Sequence, residues 1–207
     1  MVITCLEEFE KSKIKVVIDG AYTFHMNQKE VDHFRLREGL EISKEDLEEI
    51  LLDTVYRRAK QKALSILKFM DRTEQELRDK LSNAGYTNDI IDRTIVYVSE
   101  YGYLDNERYA SSYIRARMNS KSRLAIQMEL LQKGLEKDLI ERAMKEEYQI
   151  DDEDAQTEDA ELVAIRRAVE KKARASGEDL TPDQKKKIMA SLYRKGFDIA
   201  KIRQVIM

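Results

Sequence analysis

Between Arg108 and Lys133 the ionised side chains are six cations, Arg108, Arg115, Arg117, Lys121, Arg123 and Lys133, against a single acid, Glu129. Guanidinium and ammonium groups at this density can do one kind of chemistry unaided. They neutralise a run of phosphates or carboxylates, with an affinity that falls steeply as salt rises. The chain as a whole carries a formal net charge of -3, so this is a local basic island. Two related clusters flank it: Arg57, Arg58, Lys60, Lys62 and Lys68, with no acid among them, and Arg166, Arg167, Lys171, Lys172 and Arg174. Solvated helix faces commonly carry Lys and Arg, so charge alone leaves a polyanion and an acidic protein partner both open. Tyr109 and Tyr113, spaced i, i+4 beside the cations, read as packing residues rather than base-stacking ones.

Catalytic chemistry has no comparable foothold. There is no glycine-rich phosphate loop and no GxSxG, and with only two histidines no His-carboxylate-nucleophile set can be assembled. The many Asp and Glu residues fall at helix starts or in one acidic run, where capping and solvation explain them. The lone cysteine, Cys5, cannot form a disulfide within the chain and reads as a small apolar strand residue. His25 and His33 read as incidental polar groups on a strand and a helix. No cofactor and no metal are expected. No apolar run approaches the ~20 residues that span a bilayer. An acidic EEFE near the start is unlike a secretory leader. The expectation is a soluble, reduced, cytoplasmic, monomeric protein that makes no use of a membrane.

The elements that must position the cations are helical. Charged residues make up 37% of 207, with one proline (Pro182), seven glycines and no tryptophan, and few runs favour strands. Residues 1–42 are the exception. Ile14, Val16 and Ile18 alternate with other positions, Asp19-Gly20 interrupts, and Tyr22, Phe24 and Met26 alternate again, a hairpin whose type I′ turn needs positive φ at both central residues. Val2 to Phe9 supplies a third strand and Leu40 to Ile42 a last short one. Asn27 and Glu30 form a capping box opening a short helix through Val31 and Phe34. So small a sheet needs helices to dock on.

Ser43 opens a long helical run through Leu47, Ile50, Leu51, Val55, Ala59, Ala63, Ile66, Leu67 and Met70, either one helix or two with a kink. Thr73 and Glu76 form another capping box, and Thr181-Pro182-Asp183-Gln184 opens a later helix with proline at its first position. Three glycines then align. Leu77 and Leu81 precede Gly85, Ile126 and Leu130 precede Gly134, and Ile188 and Leu192 precede Gly196; Tyr86, Leu135 and Phe197 follow. Ile91, Ile140 and Ile202 stand six past each glycine, and Ile95, Met144 and Ile206 ten past. Five apolar positions kept around a glycine three times, at spacings of 49 and 62, constitute an internal repeat. Each copy is a basic first helix and two helices joined at the glycine. In the middle copy the inner face comprises Tyr109, Tyr113, Ile114 and Met118, then Ile126, Leu130 and Leu131. In the last copy the first helix presents Leu162, Ile165, Val169 and Ala173.

The longer spacing reflects nine acids and no base between Glu146 and Glu161, a run expected to form a linker whose end starts the next helix. The resulting organisation is mainly α, with 1–42 a small β-rich subdomain, 43–104 a long opening helix and first three-helix repeat, and 105–148 the second repeat. Residues 149–158 are the acidic linker and 159–207 the third repeat. A unit of about 45 residues buries little apolar surface alone, so the copies are expected to share faces by stacking into an elongated array.

The segment GYLDNERYASSYI (Gly102 to Ile114) resembles the signature of the bacterial RecX regulatory proteins, close to G-Y-[LI]-[DN]-D-x-x-[FY]-A, with Asn106 in place of the usual second Asp. RTEQELRDKLSNAGY (Arg72 to Tyr86), LQKGL (Leu131 to Leu135) and LYRKGFD (Leu192 to Asp198) are similar to the same family's repeats in order. The likeness covers about residues 55–207, and the β-rich start resembles that of longer Gram-positive and clostridial members. What it implies is a modulator of the RecA recombinase, built of three tandem three-helix repeats. Such a protein lies along the groove of the RecA–single-stranded DNA filament, limits its extension, and so lowers ATP hydrolysis and strand exchange in recombination, DNA repair and the SOS response. The resemblance also implies binding of DNA itself, single-stranded, with double-stranded DNA left open. The residues expected to contact RecA or DNA are Arg57, Arg58, Lys62, Arg108, Arg115, Arg117, Lys121, Arg123, Lys133, Arg166 and Arg167. The alternative is a helical-repeat nucleic-acid-binding module acting without RecA.

Overall fold

The computed structural model describes residues 1–10, 12–148, 159–176 and 180–206. The expected acidic linker at 149–158 lies outside them. The chain divides into two compact units, Met1–Asp105 and Asn106–Met207.

The first unit begins with a three-stranded antiparallel sheet in the order β1 (Ile3–Glu10), β2 (Lys13–Ile18) and β3 (Tyr22–Asn27). Asp19 and Gly20 both have positive φ, 49° and 69°, as the Asp-Gly turn requires. Ile18 pairs with Tyr22, so three residues rather than two separate the paired positions. The alternating Ile14, Val16, Ile18, Phe24 and Met26 are all buried. Leu40 to Ile42 is not a strand: it runs beside the start of β1 with a single bridge, Val2 to Glu41. Helix α1 (Gln28–His33) opens on the Asn27–Glu30 capping box.

The long helical run is continuous but not uniform. Helix α2 (Lys44–Ile50) passes through a π-helical turn, Leu51–Tyr56, into α3 (Arg57–Phe69). One extra residue per turn re-phases the buried stripe. Leu47, Ile50, Leu51, Val55 and Ala59 therefore face the sheet, whereas Ala63 belongs to the core of the first repeat. The Thr54 hydroxyl donates to the Ile50 carbonyl at 2.6 Å inside that turn. This is how the small sheet obtains the partner it needs. Helices α4 (Glu74–Ser82) and α5 (Asn88–Glu100) complete the repeat around Leu77, Leu81, Ile91, Ile95 and Val98.

The second unit holds two more three-helix repeats: α6 (Asn106–Arg117), α7 (Arg123–Gln132) and α8 (Lys137–Glu147), then α9 (Ala160–Ser176), α10 (Pro182–Arg194) and α11 (Ile199–Ile206). The glycine turn is the same object each time. Gly85, Gly134 and Gly196 have φ of 85°, 80° and 82°. Each glycine N–H donates three residues back at 2.9 Å, and the next residue's N–H donates five back at 3.2 Å. This is a Schellman closure, with Tyr86, Leu135 or Phe197 as the apolar residue after it. Gly196→Ala should destabilise the second unit by about 1–2 kcal/mol from the left-handed backbone alone. An added Cβ would also lie 3.1 Å from Leu124 and from the Ser122 hydroxyl. Gly102→Ala, with nothing within 4 Å, should cost less in the same thermal melt.

Two expectations about the inner faces are corrected. Leu131 is 37% exposed, and Ala110 rather than Leu131 joins the core of the second repeat. In α9, Ala164 and Ile165 form the core, while Leu162 stays half-buried outside it. The second and third repeats each close a core of their own, and Leu124 of the second packs against Gly196 of the third. Their clusters, Ala110 to Ala143 and Ala164 to Ile206, have no residue in common, and polar contacts join the two repeats.

Candidate interaction surface

The helices place the eleven candidate cations in different circumstances. On α3, Arg57 and Lys62 are exposed. Arg58 points back to the sheet, pairing with Glu30 and donating from Nη2 to the His25 carbonyl at 2.8 Å. It holds the start of α1 against α3. Between these positions Lys60 lies over the rings of Tyr56 and Tyr97, at 4.4 and 4.8 Å from their centroids.

On α6 and α7 much of the basic island is engaged internally. Arg115 is forked onto Glu147 of α8, Nε to Oε2 at 2.5 Å and Nη2 to Oε1 at 2.7 Å, while staying 68% exposed. The Arg117 guanidinium stacks 3.7 Å from the Tyr113 ring centroid and 3.9 Å from Glu129. Lys121 also pairs with Glu129, and the Tyr113 hydroxyl donates to it at 2.7 Å. Burial acts to raise the Glu129 carboxyl, but these hydrogen bonds and cations outweigh it and hold it below the usual carboxylate range. Lys133 sits 5.7 Å from both Tyr109 and Tyr113, which are stacked at 5.9 Å. The two tyrosines are part-buried against the core of the repeat, as their spacing implies. Arg108 is exposed.

Arg123, first residue of α7, does something else. Its guanidinium lies 4.1 Å from the Tyr148 ring centroid, and it approaches Asp159 and Glu161 of the third repeat at 4.0 and 3.9 Å. Its backbone N–H donates to Glu161 at 3.4 Å, placing a carboxylate at a helix N-terminus where the dipole favours it. Lys201 of α11 completes this cluster, 2.7 Å from Asp159 and 2.9 Å from Glu161. Asp159 also accepts from the Glu161 N–H at 2.8 Å, capping α9. Beside it, the Ser122 hydroxyl accepts from the Ala125 N–H and donates to the Lys195 carbonyl at 2.6 Å. Arg166 and Arg167 are exposed on α9, with Arg167 donating to the Asn119 carbonyl at 3.4 Å.

The acids that flank 149–158 are engaged in pairs. Glu147, Asp159 and Glu161 are the counter-charges of Arg115, Arg123 and Lys201. Lys201, Glu147 and Tyr148 were not legible in the sequence, because contacts across 25 to 42 residues follow from helix packing rather than from spacing. Among the described residues no group of three or more His, Cys, Asp and Glu side chains is placed to hold a metal ion. Nor is any described helix long and apolar enough to cross a membrane.

Three successive three-helix repeats, each closed by a glycine turn, with a small sheet before the first, define a tandem helical-repeat protein. Comparison with known proteins agrees. The family models for the first, second and third three-helix domains of RecX match residues 59–97, 105–144 and 159–206. The chain is 31% identical over 208 residues to the regulatory protein RecX of Caldanaerobacter subterraneus subsp. tengcongensis, covering 100% of this chain and 98% of that one. It is 30% identical to the regulatory protein RecX of Clostridioides difficile, covering 99% and 94%. Among solved structures, a regulatory protein RecX shares the fold with a TM-score of 0.64 at 21% identity, over 99% of this chain and 98% of that one. RecX from Lactobacillus salivarius superposes with a TM-score of 0.60 at 26% identity, over 73% and 94%. The chain belongs to the RecX family of regulatory proteins.

Proposed function

We propose that this protein binds the RecA–single-stranded DNA filament in the bacterial cytoplasm and modulates, mainly by inhibition, recombinase activity in DNA repair, recombination and the SOS response. The observation that carries the reading is the match of all three repeats, in order, to the three RecX domains. It acts by occupancy, as a monomer and without cofactor or catalysis. Exposed cations on each repeat supply the contacts: Arg57 and Lys62 on the first, Arg108 and Arg115 on the second, Arg166 and Arg167 on the third. Arg58, Arg117, Lys121, Arg123 and Lys133 support that surface from their pairs and ring contacts.

The test is the rate of ATP hydrolysis by RecA on single-stranded DNA as the protein is added. Inhibition at stoichiometric amounts is expected, and it should weaken when Arg57, Lys62, Arg166 and Arg167 are changed together to Ala. Unchanged hydrolysis and unchanged filament length would overturn the reading. If the protein instead acts as a nucleic-acid module, DNA affinity alone will track its effect, with a steep salt slope and no dependence on RecA.

A further inference from the structure

Helix α7 has two apolar faces. Ile126 and Leu130 are wholly buried in the repeat, but Leu124 and Met128, spaced i, i+4 on another side, are 53% and 49% exposed. They form one wall of a groove of about 840 Å³ whose other wall is the α10–α11 turn, with Tyr193 63% exposed upon it. Both walls are fixed. The Ser122 hydroxyl ties the start of α7 to the Lys195 carbonyl at 2.6 Å, and Leu124 packs so close to Gly196 that an added Cβ would lie 3.1 Å from it. A groove held open in the free protein spares a ligand the cost of ordering it.

Its charge is one-sided. The cations on its rim are Lys121, Arg194 and Lys195, the last two exposed. The acid on that wall, Glu129, is already neutralised by Lys121 and Arg117 and hydrogen-bonded by Tyr113. Leucine and methionine offer adaptable apolar contact rather than a flat platform for bases. A strand of nucleic acid is favoured by successive exposed aromatic faces, and of the two aromatics lining this groove Tyr193 is exposed while Phe197 is buried.

We propose that the groove between the second and third repeats is a docking site for an acidic protein segment bearing a pair of apolar anchor residues. The anchors enter between Leu124, Met128 and Tyr193, and flanking carboxylates meet Arg194 and Lys195. The proposal stands independently of the filament reading.

The test is retention of the full-length protein on an array of short peptides in which Leu, Phe, Met or Ser pairs are flanked by acidic, neutral or basic residues. Acidic peptides with apolar pairs should be retained. Met128→Gln, Tyr193→Ser and the charge reversal Arg194→Glu should each weaken retention about tenfold or more, as expected of exposed anchor and charge positions. Their melting temperatures should stay at the wild-type value. No retention, preference for neutral or basic flanks, or retention indifferent to all three substitutions would overturn it. So would a thymidine oligonucleotide whose binding is lost with Tyr193→Ser, which assigns the groove to nucleic acid. A dimer abolished by the same substitution would assign it to a second copy and also overturn the proposal. Inhibition of RecA by a protein that retains no peptide would sink this inference alone and leave the filament reading intact.

Discussion

Leu81→Ala, Leu130→Ala and Leu192→Ala should each destabilise the protein by about 3 kcal/mol, and each should do so in a different place. These leucines stand four residues before Gly85, Gly134 and Gly196, and they are 0%, 0% and 3% exposed. Their carbonyls receive the long Schellman hydrogen bond at 3.2 Å in every repeat, which alanine would preserve. The loss is therefore that of side-chain burial and the cavity left behind, not of the turn. Each leucine belongs to a separate apolar cluster. Leu81→Ala should lower the transition of the Met1–Asp105 unit, and the other two that of Asn106–Met207. The Leu130→Ala/Leu192→Ala double variant should add to within about 0.5 kcal/mol, as for distant sites with no shared partner. Hydrogen exchange provides the local readout. Protection should fall across α6 to α8 for Leu130→Ala and across α9 to α11 for Leu192→Ala. Equal loss across both repeats from either substitution would show one merged core and contradict two closed ones.

Closed cores explain what the sequence could and could not show. The glycine turn is local chemistry: apolar residues eight and four before it, a positive-φ residue, and an apolar residue after it all lie within one short window. Periodicity therefore exposed all three copies, and with them the helices on either side. Capping boxes at Asn27, Thr73 and Thr181 were legible for the same reason. The π turn at Leu51–Tyr56 was not, because it leaves the apolar pattern looking helical and shifts only its phase. Nor was the partnering of the basic island. Arg115 and Glu147 meet because α6 packs on α8, and Lys201 meets Asp159 because α11 packs on α9. The visible hint was charge balance: a cation-rich stretch and an acid-rich one within a nearly neutral chain. The groove had a subtler signal, Leu124 and Met128 keeping helical spacing on a side of α7 away from Ile126 and Leu130.

Lys201→Met should destabilise the Asn106–Met207 unit by about 3 kcal/mol near neutral pH, because it strips the closest cation from two poorly solvated carboxylates. Glu161 is only 4% exposed, and without Lys201 the nearest remaining cation is Arg123, 3.9 Å from Glu161 and 4.0 Å from Asp159. The pH dependence distinguishes charge from packing. Burial acts to raise the Asp159 carboxyl, but Lys201, the Glu161 N–H and Arg123 together hold it below its ordinary value. Its contribution is therefore present above the unfolded carboxyl value of about 3.9 and lost as pH falls through the lower folded value. For Lys201, burial acts against the charge, and the two carboxylates outweigh it and raise the ammonium. Its contribution is complete below the unfolded value of about 10.4 and lost as pH rises through the higher folded one. Wild-type protein should thus show a stability plateau between those limits. Lys201→Met should lie below it, with the deficit shrinking in acid as Asp159 protonates, read by urea unfolding. A deficit unchanged in acid would assign the loss to the lysine's methylenes rather than its charge. Arg174→Met, which removes only an exposed i, i+4 partner of Glu170 at 3.6 Å, should change little and controls for general charge effects. Since the third repeat joins the second through these groups, the acids at the end of the acidic run work as a clasp. Arg123 reaches these acids from the second repeat, and Lys201 holds them from within the third.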